Sequence, residues 1–342
     1  MNNMEKEIKI YFVEGLIEVV LDELSKYPEV IITEKGTDFL YIKFLEDFRI
    51  LKNLKSVLRV NLVIRNEKLN PLYISNHKSI LGDLITYILS KGDESTFKTF
   101  KITCAGSDSK EISEINEYIK EHFKLVKSEE ADAKIFIVKI NECWEVGLQV
   151  TPRPLSVRDY KVRNMSGAMD PTVAFAMNSL CNLEHTQSYL NAFSGSGTLL
   201  IEAGRHFPDL EKIIGFDNNT EHLSISIQNI KKAGLIKKIQ VKEFNLFDNP
   251  ELGTFDTIVA DLPFGMVISK NEDLQNIYKT FVQYSENHLH PNGTVAVYTT
   301  ELDIFENALI HSKLKIIKKL NLKIVTTQNM YLNTCIFICK FN

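Results

Sequence analysis

No run of about eighteen apolar residues occurs anywhere in this chain of 342, so no membrane-spanning helix is expected. Cysteine is sparse. Cys104, Cys143, Cys181, Cys335 and Cys339 form no Cys-x-x-Cys pair, and their odd number argues against a disulfide framework. A reduced, cytoplasmic protein with no metal is expected, acting as a monomer. Excess charge is also lacking: 40 basic residues against 44 acidic ones leave a formal charge of −4. A nucleic-acid partner would therefore have to be held by local patches. The start, Met1-Asn-Asn-Met-Glu-Lys-Glu, is charged and runs into the strand-like Ile8-Lys-Ile-Tyr, unlike a signal peptide. The only tryptophan, Trp144, is expected in the core rather than as a base-stacking platform. With 44% apolar residues, the chain can bury a large core and form more than one domain.

The most informative stretch runs from Ser188 to Ala203. Tyr189 to Phe193 reads as a strand that ends in the turn Ser194-Gly195-Ser196-Gly197. From Thr198 the apolar spacing becomes helical, with Glu202 in the early turns. Such a glycine turn lets the backbone approach a ligand, and the helix N-terminus offers unpaired N–H groups to it. The same turn can also join a strand to a helix for structural reasons alone. Ile213-Ile-Gly-Phe-Asp217 is a second strand ending in an acid, about twenty residues on, where cofactor domains place a carboxylate for ribose hydroxyls. Phe255-Asp-Thr-Ile-Val-Ala-Asp261-Leu-Pro-Phe-Gly265 is another such strand. A dinucleotide fingerprint would need a further glycine where Leu200 stands, so a nicotinamide enzyme is disfavoured. Taken together, the turn, the ribose acid and Asp-Leu-Pro-Phe resemble an S-adenosylmethionine-dependent amino-methyltransferase. The resemblance implies a cofactor site made of Asn191, Phe193, Ser194, Gly195, Ser196, Gly197, Thr198, Asp217, Asn218, Asn245 and Asp261. Asn245 and Asp248 could bind an adenine amine or simply cap their loop.

Residues 1–65 alternate as β-α-β-β-α-β, with strands at Ile8–Val13, Val30–Thr33 and Phe39–Phe44, and this order predicts a ferredoxin-like unit. Its basic residues Lys52, Lys55, Arg59 and Arg65 are expected mainly on a solvated face. Residues 66–152 form a second α/β unit, with a helix capped by Ser107 or Ser109 and a hairpin turning at Asn141-Glu142. Residues 153–168 carry two prolines nearby and the cluster Arg153, Arg158, Lys161 and Arg163 against one acid, Asp159. They are expected to be a basic linker whose guanidinium groups grip RNA phosphates. Asp170-Pro171 then caps a helix running to Leu180. The C-terminal domain, 169–342, is expected to be α/β with a Rossmann-like, seven-stranded sheet. Its last two strands, Leu314–Val325 and Leu332–Phe341, leave no room for a helix between them and must pair as a hairpin.

In these features and their order, nearly the whole chain resembles the THUMP-domain RNA methyltransferases of the guanine-N2 type. That likeness implies a THUMP domain at 66–152 ahead of the catalytic domain, S-adenosylmethionine as cofactor, and an RNA substrate, tRNA before rRNA. Where the family usually has Asp-Pro and then Cys in its first motif, this chain has Asn191-Ala192 and Ser194. Asn191 keeps a hydrogen-bonding oxygen without the charge. Met266 stands where many relatives carry a basic residue.

The chemistry of Asp261-Leu262-Pro263-Phe264 follows from the residues themselves. A base amine is a weak nucleophile because its lone pair is delocalised into the ring. Acceptors that hold its N–H bonds localise that lone pair toward the incoming methyl group. The Asp261 carboxylate and the Leu262 carbonyl can be those acceptors. Pro263 fixes the turn, and Phe264 can stack on a flipped base. Guanine presents N1–H and N2–H as adjacent donors, which suits a carboxylate. An adenine or protein-glutamine methyltransferase, and an RNA-binding scaffold without catalysis, stay open at this point.

Overall fold

The computed structural model describes residues 5–45, 49–67, 69–70, 74–91, 97–105, 109–264, 274–325 and 330–341. Gly265, Met266 and Ser107 lie outside them. The chain divides into two compact units, Met1–Phe12 with Val20–Ser156, and Val13–Val19 with Val157–Asn342.

The first unit is one eight-stranded sheet with helices. Its strands are β1 (Lys6–Phe12), β2 (Ile32–Lys35), β3 (Phe39–Lys43), β4 (Val57–Asn66), β5 (Thr99–Cys104), β6 (Val126–Lys127), β7 (Ala133–Ile140) and β8 (Cys143–Gln149), ordered β2-β3-β1-β4-β8-β7-β5-β6. Its helices are α1 (Ile17–Ser25, in this unit from Val20 onward), α2 (Arg49–Lys52), α3 (Ile74–Lys91) and α4 (Lys110–Phe123). Alternation buries Ile8, Ile10 and Phe12 on one face of β1. On the other face Lys9 is buried against Glu145 at 3.0 Å. The first strand pair starts later than expected. The Val30 N–H bonds back to the Tyr27 carbonyl at 3.0 Å, so Val30 belongs to a turn and β2 begins at Ile32. Ser109 caps α4, accepting from the Ile112 N–H. Trp144 is half-buried rather than in the core, because it pairs with Lys139 at the end of the β7–β8 hairpin. Arg65 is held by Glu7 at 2.7 Å and Glu34 at 2.6 Å.

The second unit holds β9 (Ser188–Ala192), β10 (Lys212–Asp217), β11 (Ile239–Glu243), β12 (Phe255–Asp261), β13 (Leu289–Thr299), β14 (Leu314–Val325) and β15 (Tyr331–Phe341). They form a seven-stranded sheet in the order β11-β10-β9-β12-β13-β15-β14. β9 to β13 pair in parallel, while β15 runs antiparallel to both β13 and β14. The expected closing hairpin is therefore present. The helices are α5 (Pro171–Leu180), α6 (Thr198–His206), α7 (Thr220–Lys232), α8 (Leu274–His288) and α9 (Leu302–Ala308). Asp170 caps α5 as expected, accepting from the Thr172 N–H with Pro171 in the first turn. One sheet face packs Leu190, Ala192, Phe216, Ile258 and Ala260 against Tyr278, Phe281 and Phe305. Complete burial of each of these phenylalanines contributes about 1.5–3 kcal/mol.

Parallel order reverses at β9, which has β10 on one side and β12 on the other. Ligand crevices open at such switch points, beyond the carboxyl ends of the strands. Register decides what stands there. Ala192 pairs with Phe216 on one side and Ala260 on the other. Asp217 and Asp261, each one residue further on, therefore flank the end of β9. Side-chain alternation puts Asn191, Asp217 and Asp261 on the face opposite the Phe281 core.

Candidate active site

β9 ends at Ala192, one residue short of the expected strand, because Phe193 adopts φ +56°. That conformation turns the chain out of the sheet into the Ser194–Gly197 turn. Gly195 (φ +51°) and Gly197 (φ +80°) are also left-handed, where a Cβ would be strained. The turn seats itself on β10: the Ser194 N–H donates to the Phe216 carbonyl at 2.9 Å. Gly215 makes room for this seat, since a Cβ there would meet Leu200 at 2.5 Å.

A cavity of about 490 Å³ opens over this turn. Its walls bring together Asn191, Phe193, Ser194, Gly195, Ser196, Thr198, Asp217, Asn218, Asn245 and all of Asp261–Phe264. Of the expected cofactor residues only Gly197 is not in the wall; it starts α6, and Ser226 fills the space its side chain would take. The exposed Asp248 is not in the wall either. Residues not expected from the sequence also line it, among them Met165–Met169, His222, Phe244, Phe247, Asn276 and Ile277.

The polar groups are unevenly satisfied. Asp217 accepts from Gly195 N–H at 2.9 Å and from Asn219 N–H at 3.0 Å, with His222 Nδ1 3.4 Å away. Asn245 caps the 3₁₀ turn Leu246–Asp248, accepting from Phe247 N–H at 3.0 Å. Asn191 is fully buried and donates from Nδ2 to Ala192 O at 2.9 Å and Val259 O at 3.3 Å. Among the described residues, three buried wall atoms have no hydrogen-bond partner: Asn191 Oδ1, Ser194 Oγ and Asp261 Oδ1. Burial pushes the Asp261 carboxyl up to about 7. Each orphaned acceptor costs about 1–3 kcal/mol until a ligand supplies a donor. S-adenosylmethionine, with an ammonium and two ribose hydroxyls, fits this donor-poor wall, and its carboxylate suits the glycine turn ahead of α6.

Behind the turn catalysis would use, the Asp-Leu-Pro-Phe segment is pinned. The Leu262 N–H donates to the Tyr298 carbonyl at 3.0 Å. The Tyr278 hydroxyl donates to the Pro263 carbonyl at 3.0 Å, and stands 2.5 Å from Thr299 Oγ1.

The basic stretch is another matter. Arg158 does not present its charge to a phosphate: its Nε reaches Glu202 Oε1 at 3.1 Å and a terminal nitrogen reaches Oε2 at 3.3 Å. Glu202 is fully buried and also takes the Tyr160 hydroxyl at 2.7 Å and His206 Nε2 at 3.3 Å. Burial pushes the Glu202 carboxyl up, but His206 and Arg158 outweigh it and leave it below the usual range. Lys161 donates to the Met169 carbonyl at 3.3 Å, and burial lowers its pKa. Arg153 and Arg163 are exposed. The sequence showed four like charges, but not that Glu202, 44 residues from Arg158, is buried and needs one of them.

A reversal point of this kind, with a glycine turn, a flanking acid and an antiparallel β15 inserted before β14, defines a methyltransferase fold. The chain belongs to the family described as RMKL-like, methyltransferase domain, whose model matches residues 158–330. It is 30% identical over 170 residues to the human U6 snRNA (guanine-N(2))-methyltransferase THUMPD2, covering 49% of this chain and 32% of that protein. It is 28% identical over 168 residues to a tRNA (guanine(6)-N2)-methyltransferase of Thermus thermophilus, covering 48% of this chain and 49% of that one. The matched part thus spans less than half the length of either relative. The crystal structure of TrmN from Thermus thermophilus superposes with a TM-score of 0.77 at 20% identity, covering 98% of this chain and 100% of that one. These matches bear out the resemblance to THUMP-type guanine-N2 methyltransferases and the fold class read from the sequence. Among the described residues no helix is long and apolar enough to cross a membrane, and no acidic, histidine or cysteine cluster has metal-binding geometry.

Proposed function

We propose that this chain transfers a methyl group from S-adenosylmethionine to the exocyclic N2 amine of a guanosine in tRNA. The observation that carries the reading is Asp261 Oδ1, a buried acceptor without a donor, in the same cavity as the glycine turn and Asp217. When bound, the cofactor supplies an electrophilic methyl group on a positively charged sulfur. Asp217 would hold its ribose hydroxyls, Asn191 Oδ1 and Ser194 Oγ its amino-acid end, and the Asn245 loop its adenine. Asp261 must be ionised to accept the N1–H and N2–H donors of guanine, whereas its burial favours the neutral acid. The Leu262 carbonyl accepts the second amine proton, Pro263 withholds a competing N–H, and Phe264 stacks on the base.

The names of the relatives support guanine N2 as the acceptor, and the Thermus relative's name supports tRNA. We assign residues 1–65 to a ferredoxin-like unit, 66–152 to a THUMP RNA-binding domain, 153–168 to the linker and 169–342 to catalysis. Five free cysteines accord with a reducing cytoplasm.

The test is methylation of an unmodified tRNA transcript by the purified chain, followed by nucleoside mass spectrometry. N2-methylguanosine is expected. N6-methyladenosine, or no methylated nucleoside from a chain that binds the cofactor, overturns the reading.

A further inference from the structure

The wall segment Met165–Met169 belongs to no part of the expected site, yet it lines the cavity next to the glycine turn. The Met165 thioether lies 3.5–3.7 Å from the position a side chain on Gly195 would take. Something must hold this irregular segment in place, since it has no strand or helix of its own.

Two anchors do so. At its N-terminal end Arg158 and Tyr160 are fixed on Glu202, as described above. The second anchor is Asn229 on α7, which is fully buried. Its Oδ1 accepts from the Arg163 N–H at 3.0 Å, and its Nδ2 donates to the Arg163 carbonyl at 3.1 Å. The same Nδ2 donates to the Ser196 carbonyl at 3.2 Å. A side-chain amide has one acceptor and two donor hydrogens, and here all three groups are engaged by main chain. Asn229 therefore ties the residue two before Met165 to the middle of the glycine turn, joining the two wall segments by one rigid amide.

We propose that Met165–Met169 is a cofactor-contacting wall and that Asn229 is its positioning residue, setting the separation between that wall and the Ser194–Gly197 turn. This rests on the reading of the cavity as an S-adenosylmethionine site. Buried amides also serve plain packing, but packing alone would not require one side chain to bond both main-chain groups of Arg163 and the cofactor turn together. Asp at this position keeps the acceptor for Arg163 N–H and loses both donors, leaving the Arg163 and Ser196 carbonyls unanswered.

The experiment is calorimetric titration of the full chain with S-adenosylmethionine and S-adenosylhomocysteine. Asn229→Asp and Asn229→Ala should raise both dissociation constants about tenfold, the worth of one or two buried hydrogen bonds. Turnover at saturating cofactor should stay within about threefold of the parent, so the loss falls on KM. Met165→Ala, which leaves the amide bonds intact, should weaken both ligands as well and serves if the Asn229 variants fail to fold. Variants that melt earlier but bind both ligands as the parent does make Asn229 a packing residue and overturn the proposal, as does an unchanged constant for Met165→Ala. A parent chain that binds neither ligand overturns the cofactor reading itself, which is a separate failure.

Discussion

The Tyr278 hydroxyl donates to the Pro263 carbonyl at 3.0 Å, joining α8 to the turn that carries the proposed amine acceptors. Thr299 Oγ1 receives the Glu301 N–H at 2.9 Å, so its own proton is directed to Tyr278 Oη and leaves the tyrosine proton for Pro263. Burial raises the Tyr278 pKa, so it donates throughout the working pH range. The turn's position is thus set by a relay of three bonds whose donors, Glu301, Thr299 and Tyr278, lie outside the cavity wall. Tyr278→Phe should lower kcat about tenfold, the equivalent of one well-aligned bond of about 1.4 kcal/mol, with cofactor affinity unchanged. Stopped-flow turnover beside cofactor titration checks the split; a tyrosine-free turn with full kcat would leave Tyr278 a core residue only.

Asp261 should impose a pH profile. As a protonated acid it would turn a donor toward the amine. The rate constant kcat/KM should therefore fall as pH drops through about 7, by about tenfold per unit below it. Asp261→Asn should remove this limb and cut kcat about a hundredfold or more, by analogy with losing one oxyanion-hole donor. An unaltered profile in the variant would detach the limb from Asp261.

The same residue should cost stability. Its pKa in the folded chain, about 7, lies above the ordinary carboxyl value near 3.8, so ionisation opposes folding. The cost is absent below about pH 4, grows as pH rises to about 7 and is constant above, reaching at most about 4 kcal/mol. Asp261→Asn should melt above the parent at pH 8, with the gap closing as pH falls toward 4. Parallel melting curves across that range would refute the assignment.

Asp217→Ala should weaken S-adenosylmethionine binding by about 1.5–3 kcal/mol, as expected for hydrogen bonds to a charged group. Calorimetry on the folded variant measures it. Part of this loss would come from Gly195 and Asn219, whose N–H groups Asp217 now satisfies.

The basic stretch should separate into two kinds of residue. Arg158→Ala leaves the buried Glu202 without its arginine partner and should destabilise the chain by about 3–5 kcal/mol. Arg153→Ala and Arg163→Ala should leave melting almost unchanged, while each lowers the slope of log RNA affinity against log salt by about 0.7–0.9. Thermal melts and salt titrations on the same three proteins decide it.

Much of this was legible in the chain because it is local. A strand, a glycine pair and a helix read from spacing alone, as does Asp170-Pro171 at the head of α5. Asp217 and Asp261 were marked by their place at the ends of apolar runs, and the closing hairpin by the lack of room for a helix. The miss at Phe193 has a local cause too: a non-glycine residue entering the left-handed region carries no signal in apolar periodicity.

What the sequence determined by itself was the set of elements and the chemistry offered at their ends, because backbone preference and alternation act over a few residues. What only the tertiary structure decided was how those groups are spent across distance: Arg158 on Glu202, Asn229 on both Arg163 and Ser196, Met165 against Gly195. These pairings span 30 to 66 residues in the chain. They are fixed by burial, which obliges each polar group to find a partner wherever the fold has brought one.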